Sequence, residues 1–121
     1  MVSQAQKKKN KQMADAIKKW MLKHEVGGDT RIYFNNMCYD SVGYGKNLKY
    51  RTLHNIKGSD YTNYANDDTV TVTFEGEFYD IMNYSFGPLR ESFSKMIEKF
   101  GYYFELGNAW NLSLYKNMRL I

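Results

Sequence analysis

The sequence predicts an α+β fold, in which an antiparallel sheet of four to five strands carries an N-terminal basic helix and a second amphipathic helix packed on one face. Two patterns support this fold class. Apolar side chains recur at helical spacing over residues 88–100, between Pro88, which suits the first helical position, and Gly101, which suits a helix end. Residues 69–74 instead alternate threonine with apolar side chains, as a half-buried strand does. We therefore expect the 88–100 helix to lie across a sheet.

The N-terminal segment predicts a helix that Ser3 caps and that runs to about His24, with residues 1–10 frayed or disordered. Gly27 and Gly28 are expected to end it, because glycine accepts the left-handed conformation that follows a helix. At helical spacing, the apolar face consists of Met13, Ile17, Trp20, Met21 and His24, and the opposite side carries Lys7, Lys8, Lys11, Lys18 and Lys19.

The segment that follows predicts two strands and a loop. Residues 41–45 indicate a turn between the strands, and residues 47–56 indicate the second strand. Residues 58–68 are polar and rich in asparagine and aspartate, so we expect either a functional or a mobile loop. The first strand is predicted over residues 31–40, with Ile32 and Phe34 on one face and Tyr33, Asn35, Met37 and Tyr39 on the other.

The C-terminal half predicts a short helix and a hairpin in addition to the 88–100 helix. Residues 77–84 can form two helical turns. Residues 102–106 and 111–115 alternate in polarity around a link that contains glycine and asparagine, which predicts a β-hairpin. The apolar tail, residues 118–121, is expected to dock on the protein.

Length and cysteine content limit the class of protein. A chain of 121 residues is sufficient for one hydrophobic core, and no linker divides it, so we expect a single domain over residues 1–121. Cys38 is the only cysteine, which excludes an intramolecular disulfide and favours a reducing, cytoplasmic setting. No apolar run approaches the roughly 18 residues of a membrane-spanning helix, and no signal or lipidation motif is visible. We expect no membrane association.

Charge is segregated along the chain, although the formal net charge is only +4. Residues 1–24 contain seven lysines and one acidic residue, Asp15. Residues 46–57 form a second basic stretch without an acidic residue, and residues 58–80 contain aspartates and glutamates without a basic residue. The molecule is therefore not uniformly basic.

The chain lacks the patterns of common catalytic and metal sites. Cys38 with His24 or His54 is the only Cys–His pairing, and a free cysteine in a strand is most often a buried apolar residue. One cysteine and two distant histidines do not provide zinc-ligand spacing. We expect a non-enzymatic protein without a cofactor, a metal or catalytic residues. The alternative is a divalent-cation or acid–base site built from Asp67, Asp68, Glu75, Glu77 and Asp80, which also suit turns and a first helical turn.

Basic residues interleaved with tyrosines predict binding to nucleic acid or to a ribonucleoprotein. Lysines attract phosphates, and tyrosine rings offer surfaces on which bases stack. The candidate residues are Lys7, Lys8, Lys11 and Lys18 on the N-terminal helix, and Tyr44, Lys46, Lys49, Tyr50 and Arg51 on the second basic stretch.

A protein-binding surface is the alternative. Tyrosine side chains would supply most of the binding energy and acidic side chains would raise the rate of encounter with a basic partner. Exposed edge strands would in addition allow a homodimer. The candidate residues for a protein partner are Tyr61, Tyr64, Asp67, Asp68 and Tyr79.

Three segments carry a resemblance: Phe-Glu-Gly-Glu-Phe-Tyr-Asp at 74–80, Tyr-Phe-Glu-Leu-Gly at 103–107 and Trp-Asn-Leu-Ser-Leu-Tyr at 110–115. In these segments, within about the last third of its length, the chain resembles short uncharacterised proteins of prophages and mobile elements in Gram-positive bacteria. Such families include inhibitors of host defences, anti-CRISPR proteins among them. The resemblance implies an inhibitor of a host defence protein, and it assigns a role to no individual residue.

Overall fold

A computed structural model describes residues 2–84 and 87–118 as three α-helices and six strands. The helices are α1 (Gln4–His24), α2 (Glu77–Asn83) and α3 (Pro88–Glu98). The strands are β1 (Thr30–Phe34), β2 (Met37–Val42), β3 (Lys49–His54), β4 (Val70–Phe74), β5 (Tyr102–Asn108) and β6 (Asn111–Lys116). Short 3₁₀ turns lie at Gly45–Asn47 and Gly58–Asp60.

The six strands form one sheet in the order β3-β2-β1-β4-β6-β5, and each neighbouring pair is antiparallel. β1 and β4 lie at its centre. The prediction of an α+β fold with an antiparallel sheet is confirmed. The described sheet has six strands, rather than the predicted four to five, because the strand expected over residues 31–40 is a hairpin.

A two-residue turn at Asn35 and Asn36 separates β1 from β2. Both residues have positive φ, 50° and 63°, as a type I′ hairpin turn requires, and asparagine accepts this conformation more readily than most residues do. The prediction of a single strand over residues 31–40 was wrong, because its alternation was counted through the turn. The second strand continues to Val42, so the turn expected over residues 41–45 begins later.

The hairpin also changes which side chains share a face of the sheet. The register pairs Ile32 with Tyr39 and Phe34 with Met37. Directly paired residues of antiparallel strands project to the same face, so Met37 and Tyr39 lie with Ile32 and Phe34 rather than opposite them. The rings of Phe34 and Tyr39 are accordingly 4.7 Å apart. The predicted facing of Met37 and Tyr39 was therefore wrong.

The ends of α1 follow local capping rules. The Ser3 hydroxyl oxygen accepts a hydrogen bond from the Gln6 amide at 3.0 Å, as an N-cap does. Residues 4–10, for which fraying was expected, are helical. At the other end, Glu25 adopts the left-handed conformation with φ 57°, so the helix stops before the predicted glycines.

The apolar face of α1 packs against the central strands β1 and β4. Each large apolar side chain that is removed from water in this way contributes about 1.5–3 kcal/mol to folding. The predicted face is the buried one, except that His24 stays partly exposed. The buried apolar residues of α1 are Met13, Ala14, Ile17, Trp20 and Met21.

The amphipathic helix predicted over residues 88–100 is present as α3, which packs against β5. Phe93 is fully buried, and its ring lies 5.2 Å from that of Trp20 and 5.0 Å from that of Phe78. These edge-on aromatic contacts join α1, α2 and α3 on one face of the sheet. The predicted helical layer is therefore confirmed.

Residues 58–68, which we call the covering loop, lie against the opposite face of the sheet. The backbone amide of Asn66 donates hydrogen bonds to the hydroxyl of Thr71 on β4, at 2.9 Å, and to the hydroxyl of Ser113 on β6, at 3.2 Å. The Ser113 hydroxyl in turn lies 3.2 Å from the carbonyl oxygen of Tyr64. This segment, predicted as a functional or mobile loop, is thus bonded to two strands.

The strand, the short helix and the hairpin predicted for the C-terminal half agree with the structure. β4 matches the strand predicted over residues 69–74, and α2 matches the helix predicted over residues 77–84. The predicted hairpin is β5–β6, with two residues between the strands. The docking expected for residues 118–121 falls mostly on residues 119–121, which lie outside the described residues, and Met118 is exposed. In the described part of the chain, none of the helices combines the length and the apolar character that crossing a membrane requires.

Asn10 is the buried polar residue of α1, and it joins three segments of the fold. Its side-chain amide donates to the Asn35 side chain at 3.2 Å and to the Asp68 carbonyl oxygen at 2.9 Å. Its own oxygen accepts from the Gln6 side chain at 2.8 Å. Asn10 therefore ties the helical layer to the β1–β2 turn and to the end of the covering loop.

We predict that Asn10→Ala lowers the free energy of unfolding by about 1–3 kcal/mol, because it leaves polar partners of Asn10 without their hydrogen bonds. Urea denaturation followed by circular dichroism measures the change. Gln12→Ala, at an exposed position of the same helix, is the control and should stay within about 0.5 kcal/mol of the parent protein. Equal stability of the two variants would contradict the role given to Asn10.

Candidate nucleic-acid interface

The lysines of α1 lie on the outside of the helical layer, because the opposite side of the helix is buried on the sheet. Lys9 and Lys18 are partly buried and the others are exposed. Lys8 and Lys19 are close to three full turns apart, so they lie on one line along the helix, separated by about 16 Å. We call the exposed group the lysine face: Lys7, Lys8, Lys11, Lys19 and Lys23.

Asp15, the one acidic residue of α1, is engaged within the protein. Its carboxylate accepts hydrogen bonds from Lys11 Nζ at 2.7 Å and from the Tyr39 hydroxyl. Lys18 Nζ lies 4.2 Å from the centre of the Tyr39 ring, in a cation–π contact. Burial alone would raise the pKa of Asp15, but the bonds from Lys11 and Tyr39 and the nearby lysine charges outweigh it and lower that pKa. Lys11 and Lys18 thus each make a contact within the protein, Lys11 with Asp15 and Lys18 with the Tyr39 ring.

The second basic stretch lies at the edge of the sheet and faces away from α1. Lys46 is exposed in the short turn before β3, and Lys49 and Arg51 project from β3 to the face opposite the helical layer. Arg51 Nε binds Asp40 Oδ2 at 2.8 Å, and Arg31 Nε binds Asp40 Oδ1 at 2.9 Å. The structure therefore does not bring the two predicted basic stretches onto one surface.

The two tyrosines of the second basic stretch pack against the chain. The Tyr44 ring lies against the backbone of Gly28, where any side chain would overlap it, and the Tyr44 hydroxyl donates to Asp29 at 2.9 Å. The Tyr50 hydroxyl lies 2.6 Å from the Thr30 hydroxyl, on the face of the sheet that α1 covers. Burial raises the pKa of Tyr50 to about 12. Tyr44 keeps a large exposed surface, whereas Tyr50 is held by internal contacts.

Four of the five residues of the predicted protein-binding set belong to the covering loop. Tyr61 and Tyr64 are 54% and 56% exposed. The Tyr61 ring stacks on that of Tyr33, with 5.9 Å between the ring centres. Asp67 accepts hydrogen bonds from the amide and the hydroxyl of Ser59, so its carboxylate shapes the loop. The two tyrosines are therefore presented on a braced segment.

Asp68 is the last residue of the covering loop, whereas the fifth member of that set, Tyr79, lies elsewhere. Asp68 is exposed, and its carbonyl oxygen accepts the bond from Asn10. Tyr79 belongs to α2 in the helical layer, where its ring lies 6.0 Å from that of the exposed Tyr84. The structure thus separates Tyr79 from the tyrosines of the covering loop by placing them on different layers.

The carboxylates between residues 67 and 80 lie beyond opposite ends of β4. Asp67 and Asp68 precede this strand, whereas Glu75, Glu77 and Asp80 follow it, and five strand residues span about 17 Å. Over residues 2–84 and 87–118, no three or more His, Cys, Asp or Glu side chains form a group that could hold a metal ion.

Cys38 is fully buried in β2. Burial raises the pKa of its thiol to about 12, so the thiol is protonated at neutral pH. Because the thiolate is the reactive form, Cys38 is not placed to act as a nucleophile.

Sequence reasoning missed the cluster of Arg31, Asp40 and Arg51. Asp40 is 11% exposed in its side chain and is shared by both guanidinium groups across three adjacent strands. The sequence feature that could have predicted the cluster is the dipeptide Asn35-Asn36. If this dipeptide is interpreted as a two-residue hairpin turn, the strand register places Arg31 opposite Asp40.

We predict that raising the pH from about 8 to 12 lowers the free energy of unfolding through Tyr50 and Cys38. Both pKa values are about 12 in the folded protein, above the ordinary values of 10.0 and 9.0. Their contribution to stability is complete below about pH 8 and decreases above it, because Cys38 and then Tyr50 ionise in the unfolded chain at a lower pH than in the folded protein. The free energy of unfolding should therefore fall less steeply with pH in each variant, by up to about 1.4 kcal/mol per pH unit. This difference is expected above pH 10 for Tyr50→Phe and above pH 9 for Cys38→Ala.

Chemical denaturation at a series of pH values measures these slopes. Each variant removes one ionising group, so the double variant should combine both effects. Slopes equal to that of the parent protein in both single variants would contradict the assignment.

Comparison of the chain with protein-family models, with curated proteins and with solved structures found no match.

Proposed function

We propose that the protein binds nucleic acid, or a complex that contains nucleic acid, through the lysine face of α1, without catalysing a reaction. The observation that supports this proposal is the concentration of positive charge on one helix. α1 contains seven lysines and a single acidic residue, whose carboxylate already binds Lys11 and Tyr39. Lys8 and Lys19 form no ion pair with any described residue.

Rigid placement of these lysines favours phosphate binding. The buried face of α1 fixes the rotation of the helix, so Lys8 and Lys19 project along one line into solvent. Each lysine that contacts a phosphate displaces a condensed counterion, which makes affinity fall steeply with salt. The proposal leaves β3 out of the interface, since Lys49 and Arg51 face the other side of the sheet.

We predict that Lys8→Glu/Lys19→Glu weakens binding of a labelled nucleic acid at least about tenfold at low salt. The slope of log affinity against log salt concentration should fall by roughly 0.7 to 0.9 for each phosphate that the variant no longer neutralises. Fluorescence anisotropy titrations between about 50 and 200 mM salt, with a single strand and with a duplex, measure both quantities.

Lys46→Glu/Lys49→Glu is the matched control, because it makes the same change of net charge at the edge of the sheet. It should reduce affinity much less than the α1 variant does. A greater reduction of affinity in this control than in the α1 variant would indicate an interface at β3 and would overturn the proposal. Binding by the parent protein that does not vary with salt concentration would also overturn it.

A second candidate function is inhibition of a host defence protein through the covering loop. It is supported by Tyr61 and Tyr64, which are each more than half exposed on a segment that hydrogen bonds hold against the sheet. A braced loop loses little conformational entropy on binding, and exposed tyrosines are frequent sources of binding energy in protein interfaces.

For this candidate, Tyr61→Ala/Tyr64→Ala is expected to abolish co-purification of a protein partner from a nuclease-treated lysate of the native host. Truncation of a central tyrosine typically costs about 2 kcal/mol or more. Tyr84→Ala, which changes an exposed tyrosine beside the helical layer, is the control and should retain the partner. Disappearance of the partner on nuclease treatment alone would argue against direct protein binding.

A further inference from the structure

A groove of about 570 Å³ lies between α1 and α3 on the outside of the helical layer. Its wall on the α1 side includes Trp20, Lys23 and His24, and its wall on the α3 side includes Ser92, Lys95 and Lys99. Lys23 follows Lys19 by about one turn, so the groove continues the lysine face of α1. The groove was not recognisable from the sequence, because it depends on the packing of two helices that are distant in the chain.

The charges around the groove favour an anionic occupant. Lys23, Lys95 and Lys99 line it from both helices and are exposed. Glu91 is the one carboxylate among the described residues that line it, and its Oε1 lies 3.1 Å from Lys95 Nζ. Both side chains of this pair are 68% exposed, so a phosphate can compete for Lys95 at little cost.

The floor of the groove is aromatic and held in place. The centres of the His24 and Trp20 rings are 4.6 Å apart, and the Trp20 ring is fixed from below by edge-on contact with that of Phe93. Trp20 Nε1 donates to Ser92 Oγ at 3.1 Å, so the Ser92 hydroxyl accepts this bond and has its own hydrogen to donate. His24 covers part of the Trp20 ring and is itself partly exposed.

We propose that the groove binds a single strand of nucleic acid, with phosphates against Lys23 and Lys99 and one unpaired base stacked on His24. This inference rests on the proposed function and specifies its ligand. A positively charged groove with an aromatic surface is the combination that single-strand binding uses, and stacking on His24 requires a base outside a duplex.

The test compares Lys23→Ala/Lys99→Ala with Lys46→Ala/Lys49→Ala, which removes the same charge outside the helical layer. Affinity is measured by anisotropy with labelled oligo(dT), labelled oligo(U) and a duplex of equal length. We expect the groove variant to bind both single strands at least about tenfold more weakly, with a salt slope lower by about 1.4 because two fewer phosphates are neutralised. The control should match the parent protein.

Three further substitutions report on the groove itself. Glu91→Gln removes its carboxylate and releases Lys95, so it should strengthen binding of the single strands. Trp110→Phe leaves Trp20 as the sole tryptophan, and single-strand binding should then change its fluorescence. His24→Ala in this background should weaken binding of the single strands about fivefold or more.

The outcomes separate this inference from the proposed function. If Lys8→Glu/Lys19→Glu loses binding while Lys23→Ala/Lys99→Ala binds fully, the proposal of binding in the groove is overturned. The proposed function, binding through α1, is then still supported. A duplex that binds as tightly as the single strands would also overturn the groove assignment. If the parent protein binds none of the three probes at low salt, both proposals are overturned.

Discussion

The burial of one side of α1 against β1 and β4 is the interaction on which the rest of the structure depends. Met13, Ile17 and Met21 are fully buried there, so the helix cannot rotate about its axis without exposing apolar surface to water. Nor can its lysines turn inward, because an unpaired ammonium group in an apolar core is far more costly. The same packing that forms the core therefore determines the charged surface. Core and candidate interface are two sides of one helix.

The helices of this protein could be predicted from the sequence better than the sheet. α1, α2 and α3 follow from periodicity and capping, which depend on neighbouring residues alone. The β1–β2 hairpin depends on the backbone conformation of Asn35 and Asn36, and no glycine accompanies them to mark the turn. A turn missed in this way reverses the facing of every later residue in the strand, which explains the misplacement of Met37 and Tyr39.

The candidate site could be predicted residue by residue, but not as a surface. The lysine face follows from the spacing of lysines on one helix, whereas its relation to Lys49 and Arg51 depends on strand order. Bonds such as that from Asn66 to Ser113 join residues 47 positions apart, so the sequence could not show that the covering loop is braced. The groove between α1 and α3 depends in the same way on long-range packing.

The position of β4 between β1 and β6 has a consequence for how the chain folds. β1, β2 and β3 pair through local connections, as do β5 and β6, but Thr30 of β1 pairs with Phe74 of β4, and Thr71 of β4 with Ser113 of β6. Pairings over more than forty residues close large loops, so we expect those of β4 to form late. During synthesis β6 emerges after the other five strands of the sheet, and until then β4 exposes an unpaired edge to other chains. The sheet can therefore be completed only after β6 has left the ribosome.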